Sequence, residues 1–380
     1  MKSQKIKQGK EILTEISQIG KEESYSPTIP SFIKNDTSKI SQKELTLRYF
    51  ILTAISDQGP YQEGIRMFVK QVLEELYDNN IRILHNPKEF NNNVERIINI
   101  MNKVNNKVKK KISQEWADKN NTNPKDYSSF FYQSSQGMRT TDRINKYLSD
   151  RWFSPFITFN RIIKNYDSVK NYLQKNESTE IMLYRLKNDK KYGFGKAIGK
   201  KACNLIGKWI HMFNLIEKDD TGWSEYSYNL PFDTNIGRVL FRTGWIFLWN
   251  NFSHFKDKDF IQKNKNRKDI KYYLRISNLR RNCKVDDNKN NSKFDKLYNI
   301  IVTEHLKSKT NKWRVKYIKN IPNVLLLNTE YSIADLDNGL TKIGKDYCIN
   351  DINPNCKDCP IKEYCYGYKK EKSVITNYLT

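Results

Sequence analysis

Apolar residues recur at intervals of three and four along most of this chain, the spacing of helices that bury one face. Leu45, Leu47, Phe50, Ile51, Ala54 and Ile55 predict one helix, which stops at the breaker SDQGP, residues 56–60. A second begins after Gly64, with Ile65, Phe68, Val69, Val72, Leu73 and Leu76 on one face. A third carries Val94, Ile97, Ile98, Met101, Val104, Val108 and Ile112, with Lys107 and Lys109 to Lys111 nearby. Residues 117–127 (ADKNNTNPKDY) and 284–293 (KVDDNKNNSK) read as polar loops. No internal repeat and no run of alternating apolar and polar residues stands against this pattern. The expected fold class is all-α.

Two later stretches carry chemistry as well as helix. KYGFGKAIGKKACNLIGKWIHMF spans 191–213, with Gly193 and Gly195 flanking Phe194 and Gly199 four residues on. Beyond them Ile198, Ala202, Leu205, Ile206, Trp209 and Ile210 form an apolar stripe. A glycine turn opening a helix lets backbone N–H groups approach a phosphate, because glycine allows positive φ and has no side chain. Glycines before a helix are also ordinary punctuation. In NLPFDTNIGRVLFRTGWIF, residues 229–247, Asp233 precedes an amphipathic helix carrying Ile236, Val239, Leu240 and Ile246. Its local role is a helix N-cap, and a catalytic carboxylate is the sharper alternative.

Four of the six cysteines stand together near the end, in the frame Cys348-x7-Cys356-x2-Cys359-x5-Cys365. Cys203 and Cys283 lie alone elsewhere. Four thiolates in one short segment suit an all-thiolate zinc site or a cubane iron–sulfur cluster. The frame has one short C-x2-C turn and longer, unequal outer spacings, whereas zinc knuckles pair two short turns. That asymmetry favours [4Fe–4S] and leaves zinc open; two disulfides are the third option.

Charge and composition narrow the partner. Sixty-seven Lys and Arg against 42 Asp and Glu give a net charge of +25, which makes nucleic acid the default partner. A 38% hydrophobic share with 13% aromatics describes a folded protein, not a disordered one. The N-terminal MKSQKIKQGKEILTE lacks the apolar core of an export signal, and the apolar run VLFRTGWIFLW is interrupted by Arg242. The expectation is a soluble cytoplasmic protein without a membrane partner.

Taken in order, these segments resemble the helix–hairpin–helix DNA glycosylases, the superfamily that contains endonuclease III. The cysteine frame, with LTKIGKDYC before it and CPIKEYC at its close, is similar to that family's iron–sulfur loop. PFDTNIGRVLFRTG resembles the stretch around the family's catalytic Asp, and IGKKACNLI resembles the hairpin with its following helix. Together the matches cover roughly 185–250 and 330–366. Two registers of the hairpin are open: Gly193-Phe194-Gly195, which puts Ala197 at the lysine position, or Ala197-Ile198-Gly199, which puts Lys201 there. The interval between Lys201 and Asp233 is longer than in endonuclease III and similar to that of the archaeal 8-oxoguanine glycosylases.

The resemblance implies two helical lobes with an active-site cleft between them and a C-terminal [4Fe–4S] loop held by Cys348, Cys356, Cys359 and Cys365. It divides the chain into an N-terminal helical extension (1–44), a lobe ending in the hairpin (45–215, with a long insertion at about 85–185), a second lobe carrying Asp233 (216–347), and the cysteine loop and tail (348–380). It implies a monomeric, nucleoid-associated base-excision enzyme acting on double-stranded DNA that contains a damaged or mismatched base. Lys201 would form a Schiff base at C1′ with Asp233 stabilising the developing charge, giving DNA N-glycosylase and AP-lyase activity. The attacking amine must be uncharged, and Lys196 and Lys200 are the nearby cations. Gly193, Gly195, Gly199, Lys196, Lys200, Lys357, Lys362 and Gln58 are the expected DNA contacts. Trp223, Tyr226 and Tyr228 would either flank an extruded base or seal a helix pair. The competing readings are a non-catalytic iron–sulfur DNA-binding or damage-sensing protein, and a zinc protein that binds nucleic acid.

Overall fold

In the computed structural model, the described residues are 2–57, 62–120, 140–218, 221–243, 261–262, 273–274, 322–323, 325–327, 329–349, 355–365 and 368. They are mostly helical, as the apolar periodicity predicts. The one departure among them is a two-residue antiparallel ladder, β1 (Ile261–Gln262) with β2 (Tyr273–Leu274), pairing Ile261 with Leu274. The chain divides into two compact units: Met1–Tyr25 together with Tyr228–Thr380, and Ser26–Ser227.

The Ser26–Ser227 unit is built around α3 (Gln42–Ser56), which is buried from Glu44 to Ser56. Burial on all sides puts charged residues inside, and each is answered. Arg48 Nε donates to Glu44 Oε1 at 2.6 Å, and Arg48 Nη1 donates to the Leu84 carbonyl at 2.7 Å. The Glu44 carboxylate also accepts the N–H groups of Val169 and Lys170, at 2.8 and 2.7 Å. Those amides open α9 (Val169–Gln174), so one buried carboxylate caps a second helix while paired within its own.

Helices α2 (Ser31–Lys34) and α4 (Gln62–Asp78) pack on α3, α6 (Val94–Asn120) packs on α4, and α5 (Glu89–Asn92) and α7 (Thr140–Leu148) pack on α6. A π-helical turn (Ser149–Phe153) joins α7 to α8 (Ser154–Tyr166), and α10 (Thr179–Asn188) and α11 (Lys200–Met212) follow α9. The stretch at about 85–185 belongs to this unit's core. Phe90 stacks on Phe156 at 4.7 Å, Phe159 meets Phe194 edge-on at 5.4 Å, and Trp152 Nε1 donates to Ser56 Oγ at 3.2 Å. Its helix α6 runs to Asn120, past the loop start expected at 117, because Ala117 is buried. The rest of that expected loop, the one at 284–293 and Ile246 lie outside the described residues.

The other unit joins the two ends of the chain. Helix α1 (Lys2–Lys21) packs on α13 (Ile333–Asp346), and α12 (Thr234–Arg242) packs on α13 as well. At the α1–α13 crossing the backbones touch. A Cβ on Gly339 would stand 1.8 Å from the Ile16 carbonyl oxygen, and one on Gly20 would stand 1.8 Å from that of Asp335. Asn338, buried, donates to the Gly20 and Glu23 carbonyls at 3.3 and 2.7 Å and satisfies the end of α1. A capping box of Ser332 and Asp335 opens α13. The segment expected as one extension over 1–44 is therefore split, with residues 1–25 joining the cysteine loop and the Asp233 helix in one unit. The glycine contact that causes this lies at the far end of the chain.

Gly339→Ala raises helix propensity by ~1 kcal/mol yet inserts a methyl into a backbone. The expected result is a net loss of about 2 kcal/mol or more in chemical denaturation followed by circular dichroism. An unchanged or raised midpoint contradicts the close crossing.

Candidate functional site

The glycine segment 193–199 sits between α10 and α11 and is held by α10. Phe194 N donates to Leu186 O at 2.8 Å, Gly193 N to Asp189 O at 3.0 Å, and Lys187 Nζ to Ile198 O at 2.6 Å. The three glycines have different reasons to be glycine. Gly193 is pressed against α10, where a Cβ would lie 2.5 Å from the Asp189 carbonyl oxygen. Gly195 has φ +55°, a left-handed value that starts a short 3₁₀ turn over Gly195–Ala197. Gly199 has an ordinary extended backbone, and a Cβ there would meet nothing within 4 Å.

Gly199 is the N-cap of α11, so of the two hairpin registers only Ala197-Ile198-Gly199 stands directly before a helix. Ile198 is buried behind it, and Lys201 falls in the first helical turn, partly buried, with Lys200 and Lys196 exposed. That turn holds two lysines, no acidic residue and no side-chain cap. Positive charge at the positive end of a helix dipole is locally unfavourable, and it suits an anion supplied from outside.

Asp233 is an N-cap, as its local sequence suggests. Its Oδ1 accepts the N–H groups of Asn235 and Ile236 at 2.9 and 3.0 Å, and its carbonyl accepts from Gly237 at 3.0 Å. Helix α13 fixes this cap from behind, since a Cβ on Gly344 would meet the Asn235 amide at 2.6 Å. Lys201 belongs to the Ser26–Ser227 unit and Asp233 to the other, and each is positioned within its own.

Trp223 is the seal, not an open aromatic wall. It is buried, its Nε1 donates to Asn176 O at 3.2 Å, and Lys218 lies over its ring at 5.1 Å. Tyr228 is buried too, and Tyr226 is half-buried. Gln58 lies outside the described residues, but its neighbour Asp57 is an anchor that the sequence reading did not single out. Asp57 Oδ2 accepts from Arg66 Nη2 at 2.8 Å, and Arg66 lies 5.3 Å over the ring of Trp209 on α11. The breaker after α3 is thereby tied to the helix that carries Lys201.

The four clustered cysteines line one pocket, together with Thr243, Ile343, Tyr347, Ile361, Lys362 and Tyr368. Helix α13 leads straight into it: Cys348 N donates to Ile343 O at 2.7 Å, and Asn355 N donates to Tyr347 O at 2.9 Å. Tight turns then place the rest, with Cys359 N donating to Cys356 O at 3.3 Å and Cys365 N to Lys362 O at 3.2 Å. The five cysteines among the described residues, these four and the buried Cys203, form no disulfide; Cys283 lies outside the described residues. Burial pushes the Cys359 thiol up to about 12, opposed by a hydrogen bond from the Ile361 backbone and reinforced by Cys348, Cys365 and Cys356. Such a group becomes a thiolate readily only when a metal neutralises it.

A single zinc holds each sulfur at ~2.3 Å. Among the described residues no group of three or more His, Cys, Asp or Glu converges on a single-ion site. What the four cysteines share is the wall of one pocket. Of the loop cations, Lys357 is exposed, while Lys362 Nζ donates to Lys357 O at 3.0 Å and so braces the loop. Tyr364 of the same loop hydrogen-bonds Glu15 of α1, which holds its hydroxyl above the ordinary tyrosine range.

No protein-family model matches the chain, and no curated protein or solved structure matches it. No helix among the described residues is long and apolar enough to cross a membrane.

The cap gives a direct separation of roles for Asp233. Asn caps a helix as well as Asp does, whereas Ala removes the acceptor. Asp233→Asn is expected to leave the melting temperature within about 1 °C, and Asp233→Ala to cost about 1 kcal/mol in denaturant titration. Equal losses in both variants contradict the capping geometry.

Proposed function

We propose that this protein is a base-excision DNA glycosylase that flips out a damaged or mismatched base and removes it, with an associated lyase activity. One observation carries the reading. The four cysteines share a pocket at the end of α13, the helix whose Gly344 seats the Asp233-capped helix. The resemblance of both segments to one enzyme family thereby extends to elements in direct contact. The lysine-rich, uncapped start of α11 and the net charge of +25 support a polyanionic partner.

In this reading the backbone at Gly199 and the first turn of α11 hold a phosphate of the substrate strand, with Lys196 and Lys200 adding charge. Lys201 Nζ attacks C1′ of the extruded nucleotide; the new C–N bond forms as the glycosidic C–N bond breaks and the base leaves. The Asp233 carboxylate stabilises positive charge developing on the sugar and helps move protons. Breaking the C1′–O4′ bond, with an Nζ proton passing to O4′, turns this aminal into a Schiff base on Lys201, which permits β-elimination, in which a C2′ proton is removed and the 3′ phosphate leaves. Cys348, Cys356, Cys359 and Cys365 would hold a [4Fe–4S] cluster. When bound, the cluster supplies a rigid, metal-stapled frame that presents Lys357 to DNA and ties the loop to α13 and α1.

Borohydride trapping on duplexes bearing oxidised purines, oxidised pyrimidines or mismatches tests this. Wild type is expected to give a covalent complex with at least one lesion, and Lys201→Ala none. Asp233→Asn is expected to lower turnover about 10²-fold or more while keeping its cap. A complex that persists in Lys201→Ala refutes the lysine assignment. Intact DNA with every lesion favours a binding or damage-sensing protein.

A further inference from the structure

The Ser26–Ser227 unit holds a second feature that the reaction above does not use. A cavity of about 570 Å³ opens between the α7–α8 junction and the back of the glycine turn. Its wall includes Arg151, Arg161 and Lys196 against the single acid Asp150, with Phe153 and Thr158 between them. Most of this wall comes from a part of the chain outside the segments that resemble glycosylases.

Three observations mark it as built for a ligand. First, Asp150, Arg151 and Phe153 all lie on the π-helical turn Ser149–Phe153, a widened turn that costs hydrogen-bond geometry and recurs at functional sites. Second, Phe153 remains 46% exposed beside charged neighbours, although its ring meets Phe90 edge-on at 6.2 Å. Third, the positions are fixed: Arg161 Nη1 donates to the Lys191 carbonyl at 2.7 Å, bracing the glycine turn, and Trp152 beside Phe153 is fully buried. Gly195 lines the same cavity with open space where a side chain would stand.

Planar guanidinium groups match phosphate oxygens, and an exposed ring beside them matches the apolar edge of a sugar. We propose that this cavity seats a backbone phosphodiester of DNA, with Arg151 and Arg161 around the phosphate and Phe153 against the adjoining sugar. It is a second anchoring point on the duplex, separate from the first turn of α11. It rests on the DNA partner proposed above, but not on base excision. The contact reads no sequence and no lesion; it adds affinity through counterion release.

The test is fluorescence anisotropy with an undamaged and an abasic duplex across a salt series. Arg151→Ala with Arg161→Ala is expected to weaken both complexes by the same factor, about tenfold, and to lower the log–log salt slope by about one to two. Asp150→Asn, which removes the only acid of the wall, is expected to tighten binding about two- to threefold, a gain that misfolding cannot produce. Unchanged affinity and slope in both variants overturn the proposal. So does displacement of DNA from wild type by micromolar deoxynucleoside monophosphate, which marks a small-molecule pocket, or a failure of wild type to bind duplex at any salt. If the variants behave as expected and no base is excised, the anchor stands and the glycosylase reading falls. If excision proceeds and the slope is unmoved, the reverse holds.

Discussion

Backbone contact between α1 and α13 is the constraint on which the terminal unit depends. Two helices approach this closely only where neither has a Cβ at the crossing, and Gly20 and Gly339 supply that condition from opposite ends of the chain. Charged neighbours fix the register: Lys342 pairs with Glu23 at 3.1 Å and Lys21 with Glu330 at 2.8 Å. Lys345 lies over the Tyr25 ring at 4.6 Å. These exposed contacts are individually weak, so the crossing rests mainly on close packing. Once α13 is fixed, it positions two things. Gly344 seats the start of α12 and hence the Asp233 cap, and the C-terminal end leads into Cys348.

In the proposed reading, that arrangement lets a metal centre matter without touching substrate. The cysteine loop has few apolar residues of its own; Ile361 and Cys359 are its buried ones. Alone it would not fold, and a shared metal group would supply the missing cross-links. Tyr364, bonded to Glu15, ties the loop to α1, so the cysteine loop, the helix crossing and the Asp233 helix belong to one compact unit.

Much of this was legible in the sequence, and the reasons are physical. Helices α4, α6 and α11 announce themselves by apolar spacing, because each buries a stripe that the sequence must supply, whereas α3, buried on all sides, announces itself by its apolar content. The Asp233 cap was legible because capping is local, set by bonds to residues two and three positions on. The cysteine frame was legible because its four cysteines sit in one short segment. The rest depends on partners distant in the chain. Nothing around Gly20 reveals Gly339, and nothing around Glu44 reveals that it caps α9. The role of Trp223 turned on Asn176, and the π turn at Ser149–Phe153 arises where α7 and α8 meet a core already formed. Among the hairpin glycines, sequence treats three positions alike, whereas packing, dihedral angle and open space separate them.

The central claim is that the cysteine pocket holds a four-iron cluster which staples α13, and with it the Asp233 helix, into one body. Iron, sulfide and zinc content of protein purified without oxygen, read with its visible spectrum, tests that most directly. About four irons and four sulfides per chain, with broad visible absorbance lost in Cys359→Ala, is the expected result. One zinc per chain in a colourless protein would contradict it.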